Sequence, residues 1–266
     1  MVATPVYGTR ALTLELEKER ALVVADLHLG LEEELATKGI KLPSQIPKIK
    51  TRLLRLIRRK KPNKLILLGD VKHNIPITSW QEWRDLPDFF SELTKHVQVE
   101  ILPGNHDGDI EGLVPRDVII HDPRGIVIGG EKKIGLMHGH TWPKPELLGA
   151  DLIITGHNHP AIEFRDDLGG RVIEPVWMYY KILPSNLPKR LQSAVKGEPP
   201  RFLVVPAFNE LISGAAVNRS IPHELLGPIF KSGCADLPRA EIYLLDGTFL
   251  GTLENIKKKN NPRFLP

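Results

Sequence analysis

Residues 65–76 decide the fold, and they read Leu-Ile-Leu-Leu-Gly-Asp-Val-Lys-His-Asn-Ile-Pro. The four apolar residues at the start predict a short strand that is buried on both faces. Asp70 would stand just past the end of that strand, where a carboxylate is costly unless it is paired or binds a metal. The sequence therefore raises two questions: which positive partner Asp70 has, and whether His73 belongs to the same site.

Four other polar clusters follow short apolar runs in the same way. In an open α/β sheet, the residues just past the carboxyl ends of the strands converge on one crevice. We therefore expect carboxylates, an amide and several imidazoles at a common rim. Residues two apart leave an extended backbone on the same side, which applies to two of these clusters. The clusters are Asp26-Leu27-His28, Gly104-Asn105-His106-Asp107, His138-Gly139-His140 and Gly156-His157-Asn158-His159.

This mixture of donors predicts a metal site. Aspartate, asparagine and histidine together suit a first-row divalent ion such as Mn²⁺, Fe²⁺ or Zn²⁺. The donors are too many for one ion, whereas two ions that share a bridging carboxylate fit their number. Two ions about 3.5–4 Å apart lower the pKa of a bridging water and bind both oxygens of a phosphoryl displacement. Each cluster alone could be an ordinary turn, but five of them at strand ends indicate a site.

Composition predicts a globular chain with a core of ordinary size. Of the 266 residues, 41% are hydrophobic and 26% are charged. No apolar run approaches the length of a membrane span, and the first residues have no apolar signal region. Cys234 is the only cysteine, which excludes a disulfide within the chain and favours a reducing cytoplasm. No linker divides the sequence, so we expect one domain over residues 1–266.

The order of the apolar runs predicts a layered α/β protein. Strands alternate with helices in the part that carries the motifs, about residues 20–165. One helix is expected over residues 45–59, and a capping box at Ser79 and Glu82 predicts the start of another that runs to about Thr94. From about residue 160 to residue 256, strands joined by turns predict a second, mostly antiparallel sheet packed on the first.

Two further features leave alternatives open. The chain has a net charge of +4, and nine lysines and arginines fall between Lys48 and Lys64. They form either the solvated face of the first helix or a surface that binds nucleic acid. Trp80, Trp83 and Trp142 are either core residues or stacking surfaces for bases.

The five motifs, in the order DxH, GD, GNHD, HGH and GHxH, resemble those of the calcineurin-like metallophosphoesterase superfamily. The resemblance implies an α/β fold in which a β-sandwich is flanked by helices, giving four layers in the order αββα. Within the superfamily, the segments ADLHLG at residues 25–30 and GDVKH at residues 69–73 most resemble two groups. These are the archaeal phosphoesterases related to the SbcD nuclease and the DNA endonucleases associated with bacterial DNA ligases.

The resemblance implies a role for each motif residue. His106 would protonate the leaving oxygen or stabilise the transition state, and Asp107 would orient it. His140 would lie behind the metal ligands or against the substrate. His73 would do the same, with a satisfied loop histidine as the competing interpretation. The implied metal ligands are Asp26, His28 and His159 for the first ion, Asn105, His138 and His157 for the second, and Asp70 for both.

The implied activity is phosphodiester hydrolysis by a metal-bridging hydroxide, with inversion at phosphorus. The resemblance favours a nuclease that acts on DNA or RNA in DNA repair. A small-molecule phosphodiesterase or nucleotide pyrophosphatase is the main alternative. A non-catalytic scaffold, like the retromer subunit of this superfamily, is disfavoured because that protein lacks the histidine that His106 provides.

The implied cofactors are two divalent ions. Mn²⁺ is the first choice, and Fe²⁺, Zn²⁺ and Ni²⁺ are compatible with the same ligands. The expected partner is a nucleic-acid substrate in the cytoplasm, away from any membrane. The sequence leaves the oligomeric state open, a homo-oligomer included.

Overall fold

A six-stranded sheet carries the first three motifs. Its strand order is β1-β2-β3-β4-β5-β6, and β3 to β6 are parallel. The computed structural model describes residues 2–166, 168–219 and 227–259. The strands of this sheet are β1 (Val2–Pro5), β2 (Leu12–Glu15), β3 (Arg20–Val24), β4 (Lys64–Leu67), β5 (Gln98–Ile101) and β6 (Ile119–Ile120).

A second sheet faces the first and mixes parallel with antiparallel pairs. Its order is β13-β10-β11-β12-β9-β8-β7, and β14 pairs with β11 and β15. Its strands are β7 (Ile126–Gly129), β8 (Lys133–Leu136), β9 (Leu152–Thr155), β10 (Pro160–Arg165), β11 (Arg171–Lys181), β12 (Arg201–Val204), β13 (Ala215–Ala216), β14 (Glu241–Leu244) and β15 (Phe249–Thr252).

Helices cover the outer faces of both sheets. Two helices of 15 residues lie on the first sheet, and three short helices lie on the second. The helices are α1 (Leu31–Thr37), α2 (Ile46–Lys60), α3 (Trp80–Thr94), α4 (Lys189–Gln192), α5 (Pro228–Lys231) and α6 (Leu253–Lys259), with 3₁₀ turns at Ile110–Gly112, Pro145–Gly149 and Pro184–Asn186.

Three apolar clusters hold these four layers together. One lies between the first sheet and α2 and α3, and it includes Leu53, Leu65 and Phe89. Another lies between the two sheets and includes Ile66 from β4 and Trp177 from β11. The last lies under the short helices. The protein therefore has the αββα arrangement that the resemblance implied. Fully burying one such side chain contributes about 1.5–3 kcal/mol.

The second sheet begins earlier than the sequence indicated. We expected its strands from about residue 160 onwards, but β7, β8 and β9 already belong to it. The sequence could not separate them from the first sheet, because a short run buried on both faces looks the same in either one. As a result, the motifs after β8 and β9 face those after β3, β4 and β5 across the sandwich.

Most of the basic residues expected on α2 lie away from the strand ends that carry the motifs. The densest group, residues 58–61, closes α2 beside the start of β3, where the Arg20 guanidinium donates to the Lys60 carbonyl at 2.8 Å. Cations in the last turn of a helix are stabilised by its dipole. Nearer the motifs, Lys48 and Arg52 form ion pairs with Glu210. The solvated helix face is therefore the better description of this segment.

A capping box fixes the start of α3, as the sequence predicted. The Glu82 amide donates to the Ser79 hydroxyl at 3.2 Å, and the Ser79 amide donates to the Glu82 carboxylate at 2.6 Å. The same buried carboxylate accepts from the amides of His73 and Asn74, both at 2.9 Å. Glu82 therefore joins α3 to the loop that follows β4.

We predict that Glu82→Ala destabilises the protein more than Ser79→Ala does. Loss of an N-cap hydroxyl costs about 1 kcal/mol. Loss of the Glu82 carboxylate leaves the Ser79 and Asn74 amides without their acceptor, whereas the His73 amide keeps the Leu29 carbonyl. Each donor left unpaired away from water costs roughly 1–3 kcal/mol. Urea denaturation of the two variants measures both costs. Equal losses would show that Glu82 acts only as part of the cap.

Candidate metal centre

The loops after β3 and β4 continue the pairing of their strands. The Asp26 amide donates to the Gly69 carbonyl at 3.1 Å, and the His28 amide donates to the Asp70 carbonyl at 2.8 Å. The Leu29 amide then donates to the Val71 carbonyl at 2.8 Å. These bonds hold the two loops side by side, so that the carboxylates and imidazoles they carry share one space.

Five non-glycine residues of the motifs have a left-handed backbone. A non-glycine residue with positive φ costs of order 1–3 kcal/mol and persists where the surroundings enforce it. We expected an extended backbone at the pairs 26/28 and 157/159. The positive φ values show that the backbone there is not extended. Their side chains converge through these turns instead. The φ values are 56° at Asp26, 41° at His28, 47° at Asp70, 69° at His157 and 41° at His159.

A first donor group consists of Asp26, His28 and His159. One ligand atom from each lies within 4.8 Å of the others. His159 Nε2 is 3.2 Å from Asp26 Oδ1. Asp26 also accepts the His157 amide at 3.1 Å, which fixes the loop after β9 against the loop after β3.

A second donor group consists of Asp70, His138 and His157, all of them buried. His138 Nε2 lies 3.2 Å from Asp70 Oδ2 and 3.1 Å from His157 Nδ1. Its Nδ1 donates to the Leu68 carbonyl at 2.8 Å, which leaves Nε2 to face the group. Asp70 Oδ2 is also 3.6 Å from His28 Nε2, so this one carboxylate lies between the two donor groups.

The arrangement fits a pair of metal ions. Two imidazole nitrogens of the first group, His28 Nε2 and His159 Nε2, are buried and have no hydrogen-bond partner among the described residues. Buried polar atoms are seldom left without a partner unless something else binds them. Neutral imidazoles and carboxylates are ligands that first-row divalent ions accept. The residues present could therefore hold one ion in each group.

The loop after β5 presses against Asp70. The His106 amide donates to Asp70 Oδ1 at 2.9 Å. Gly104 passes so close that a Cβ there would stand 2.1 Å from the same oxygen. A side chain at position 104 would displace the carboxylate that the two donor groups share.

Asp107 holds this loop to the loop after β4. Its buried carboxylate accepts the Val71 amide at 2.7 Å, the Lys72 amide at 3.1 Å and the Gly104 amide at 2.8 Å. We expected Asp107 to orient the His106 ring. In the structure the ring contact comes from the His73 carbonyl, which lies 2.5 Å from His106 Nδ1. A carbonyl can only accept, so His106 carries its proton on Nδ1.

The remaining predicted residues lie at the mouth of the site. His73 is half-buried, contacts His28 through its ring and stacks on His106 with centroids 5.5 Å apart. The His140 ring lies 5.3 Å from that of His138, beside the second donor group. Asn105 is exposed and makes no hydrogen bond within the part of the chain that the structure describes, and its place in the second group stays a prediction.

One supporting residue was missed from the sequence. Buried Asn209 donates through its side-chain amide to the Leu27 carbonyl at 2.9 Å and to the His28 carbonyl at 3.4 Å. The Arg10 guanidinium donates to the carbonyls of Ala207 and Asn209 at 2.9 and 2.8 Å. Asn209 follows β12, which ends at Val204. An asparagine just after a buried strand was the available signal.

Charge within the site is balanced between imidazoles and carboxylates. Burial would raise the pKa of Asp70, but the charge and hydrogen bond of His138 hold it well below its usual value. Burial opposes protonation of His138, yet Asp70 outweighs it and raises the pKa of His138 to about 9. Burial lowers the pKa of His157 to about 3 and that of His140 to about 4, and it raises the pKa of Asp107 to about 6.

Comparison with known proteins gives one family and several structures. A family model described as calcineurin-like phosphoesterase matches residues 19–182. No curated protein sequence matches the chain. The nuclease MPE of Pseudomonas putida has a similar fold, with 21% identity and a TM-score of 0.52 over 92% of this chain and 98% of that one. The E. coli phosphoesterase Yfce has 15% identity and a TM-score of 0.40 over 87% and 96% of the two chains.

We predict that Gly104→Ala disrupts the metal centre. The new Cβ would collide with Asp70, and displacement of a site residue by about 1 Å can cost roughly 100-fold in rate. The bound metal should fall from two ions per chain, measured by elemental analysis after dialysis. Gly108→Ala is the matched control, because a Cβ there meets no atom within 4 Å. A Gly104→Ala variant that keeps both ions would contradict the proposed bridging position of Asp70.

We also predict that metal binding releases a proton from His138. In the metal-free protein the pKa of His138 is about 9, so its Nε2 is protonated at neutral pH. A metal ion needs that lone pair, so affinity should rise with pH by up to about tenfold per unit below pH 9. Calorimetry in Hepes and in Tris counts the protons released. Equal heats in the two buffers would contradict the prediction.

Proposed function

The chain belongs to the calcineurin-like phosphoesterase family and is a hydrolase, and we propose that it is a two-metal phosphodiesterase that cleaves nucleic acid. The observation that carries the two-metal part is the position of Asp70 between the two donor groups. The first ion would be held by Asp26, His28, His159 and Asp70. The second would be held by Asp70, His138 and His157, with Asn105 completing the set.

When bound, the two ions would supply Lewis acidity, lowering the pKa of a water molecule and neutralising charge on the phosphate. Mn²⁺ is the ion we propose. Asp70 is ionised, so its oxygens are ready to bind an ion. His138 must first lose the proton on Nε2.

His106 is the proposed general acid. Its Nδ1 donates to the His73 carbonyl, so the neutral ring presents an unprotonated Nε2, and the protonated ring presents an N–H. The imidazolium would donate that proton to the leaving oxygen. The stacked His73 ring and the backbone bond to Asp70 hold His106 beside both donor groups.

Two exposed tryptophans favour nucleic acid as the substrate. Trp80 is 77% exposed and Trp83 is 48% exposed, so neither is the core residue that helical spacing allowed. They begin α3, which Glu82 joins to His73, and Trp83 lies against Gly112 in the turn that follows His106. Aromatic side chains beside a site stack with unpaired bases. Trp142, by contrast, packs on the apolar cluster under the short helices.

Other observations bear on the substrate class. The Pseudomonas putida protein with this fold is described as a nuclease, which makes nucleic acid the substrate to test first. The relation to SbcD-type enzymes and a role in DNA repair remain predictions from the motifs. The basic residues at the end of α2 add no support, because they lie beside the start of β3. A small-molecule phosphodiesterase is the second candidate, since the same metal centre would serve it.

We predict that His106→Ala abolishes turnover and leaves the metal content near that of the wild type. The ring supplies a proton and lies in neither of the two proposed ligand sets. Hydrolysis of bis-p-nitrophenyl phosphate with Mn²⁺ measures turnover, and elemental analysis measures the ions. Unchanged turnover in this variant would remove His106 from the mechanism.

We predict that a Trp80→Ala, Trp83→Ala double variant loses activity on a single-stranded oligonucleotide but not on bis-p-nitrophenyl phosphate. Stacking contributes roughly 1–3 kcal/mol per base, so kcat/KM should fall about 10- to 100-fold for the oligonucleotide alone. Phe249→Ala, which removes an exposed aromatic from β15, is the control. Equal activity of the double variant and wild type on the oligonucleotide would favour the small-molecule alternative.

A further inference from the structure

Glu34 on α1 lies outside both donor groups, yet two hydrogen bonds in series join it to one of the proposed ligands. Its carboxylate oxygen is 2.5 Å from His73 Nε2. His73 Nδ1 is 3.1 Å from His28 Nδ1. On the far side of the His28 ring, buried Nε2 has no hydrogen-bond partner among the described residues and lies 3.6 Å from Asp70. The three side chains form one hydrogen-bonded chain that ends at the first donor group.

Backbone hydrogen bonds hold this hydrogen-bonded chain in place. The His28 amide donates to the Asp70 carbonyl, and the His73 amide donates to the Leu29 carbonyl at 3.0 Å. The Glu82 carboxylate accepts the same His73 amide. The rings of His28 and His73 are thereby fixed with their centroids 5.2 Å apart and their planes at 66°.

The chemistry of the three groups then decides which nitrogen carries each proton. Lys38 binds the Glu34 carboxylate one turn along α1, and an ionised carboxylate can only accept. His73 must therefore donate from Nε2, and a neutral His73 has its lone pair on Nδ1. His28 must in turn donate from Nδ1. The lone pair of His28 is left on Nε2, the atom that faces Asp70.

We propose that Glu34 is a positioning residue that acts through His73 to fix the tautomer of His28 for metal binding. The inference rests on the metal centre proposed above and adds a residue that the motifs do not contain. The direct partner of a metal-bound histidine, here His73, typically contributes 10- to 100-fold in metal affinity, and Glu34 would hold that partner in the required tautomer. His73 would then act on a ligand rather than on the substrate phosphate.

A different arrangement of the same atoms is the main competitor. Ligand atoms of His28, His73 and His106 also lie within 4.8 Å of one another. If an ion occupied that group, His73 would itself be a ligand. His28 would then face that ion with Nδ1, and Glu34 would not set its tautomer.

Metal titration of matched variants tests the proposal without substrate. Glu34→Ala removes the acceptor, whereas Glu34→Gln keeps a carbonyl oxygen that can accept from His73. Glu33→Ala removes a neighbouring charge, and Lys38→Ala removes only the ion pair on α1. We expect Glu34→Ala to weaken binding of one of two Mn²⁺ ions about 10-fold, the lower end of what a direct partner of a ligand contributes, with the other three variants close to wild type.

A spectroscopic measurement separates positioning from a general loss of order. In the Zn²⁺-loaded protein, nitrogen-15 histidine spectra should show His28 protonated on Nδ1 and bound to zinc through Nε2. In Glu34→Ala that Nδ1 proton should exchange faster, while the thermal midpoint stays near that of the wild type.

Several outcomes would overturn the proposal. They are coordination of His28 through Nδ1, an equal loss of affinity in Glu33→Ala and Glu34→Ala, and an equal loss in Glu34→Gln and Glu34→Ala. If the wild type bound no pair of ions, the proposed function would fail as well. If the wild type bound two ions and Glu34→Ala bound them as tightly, only the role of Glu34 would fail.

Discussion

The structure depends on the need to neutralise one carboxylate. Asp70 follows a strand that is buried on both faces and is only 2% exposed. Water cannot solvate it there, so the protein must surround it with groups that favour its charge. Imidazoles from both sheets and an amide from the loop after β5 meet that need. These contacts to the Asp70 carboxylate join the two sheets at the strand ends that carry the motifs. Gly104 has no side chain and so leaves room for the carboxylate.

Buried polar side chains keep the surrounding loops in conformations that they would not adopt alone. Glu82, Asp107 and Asn209 each bind backbone groups of the motif loops. Left-handed residues at the site raise the free energy of the folded state, and these bonds offset part of that cost. The three side chains come from α3, β5 and β12 or from the loops next to them, so several separate parts of the sandwich support the site.

Much of the fold and of the candidate site could be predicted from the sequence, because each motif directly follows a strand, whichever sheet that strand belongs to. Apolar runs located β3, β4, β5, β8 and β9 to within a residue or two, and the order of motifs identified the family. The assignment of β8 and β9 to the second sheet could not be predicted, since sheet membership depends on pairing between distant strands. Nor could the contacts of Glu34 or Asn209, which depend on how remote loops meet.

The sequence was also ambiguous where one pattern of residues is compatible with two locations in the structure. Tryptophans at helical spacing suit a core as well as a surface, and only the packing of α3 shows Trp80 to be exposed. Basic residues on α2 suit a polyanion as well as a helix end in water. In both cases residue type was informative about chemistry but not about location.

Each donor group is divided between the two sheets, and this division affects the stability of the folded protein. Asp26 and His28 lie at one end of the chain and His159 well beyond its middle, so an ion in the first group would act as a reversible cross-link between the halves of the sandwich. A ligand present at 100 times its Kd adds about 2.7 kcal/mol to folding stability. Metal supply would then govern how long each molecule survives proteolysis, as well as whether it is active.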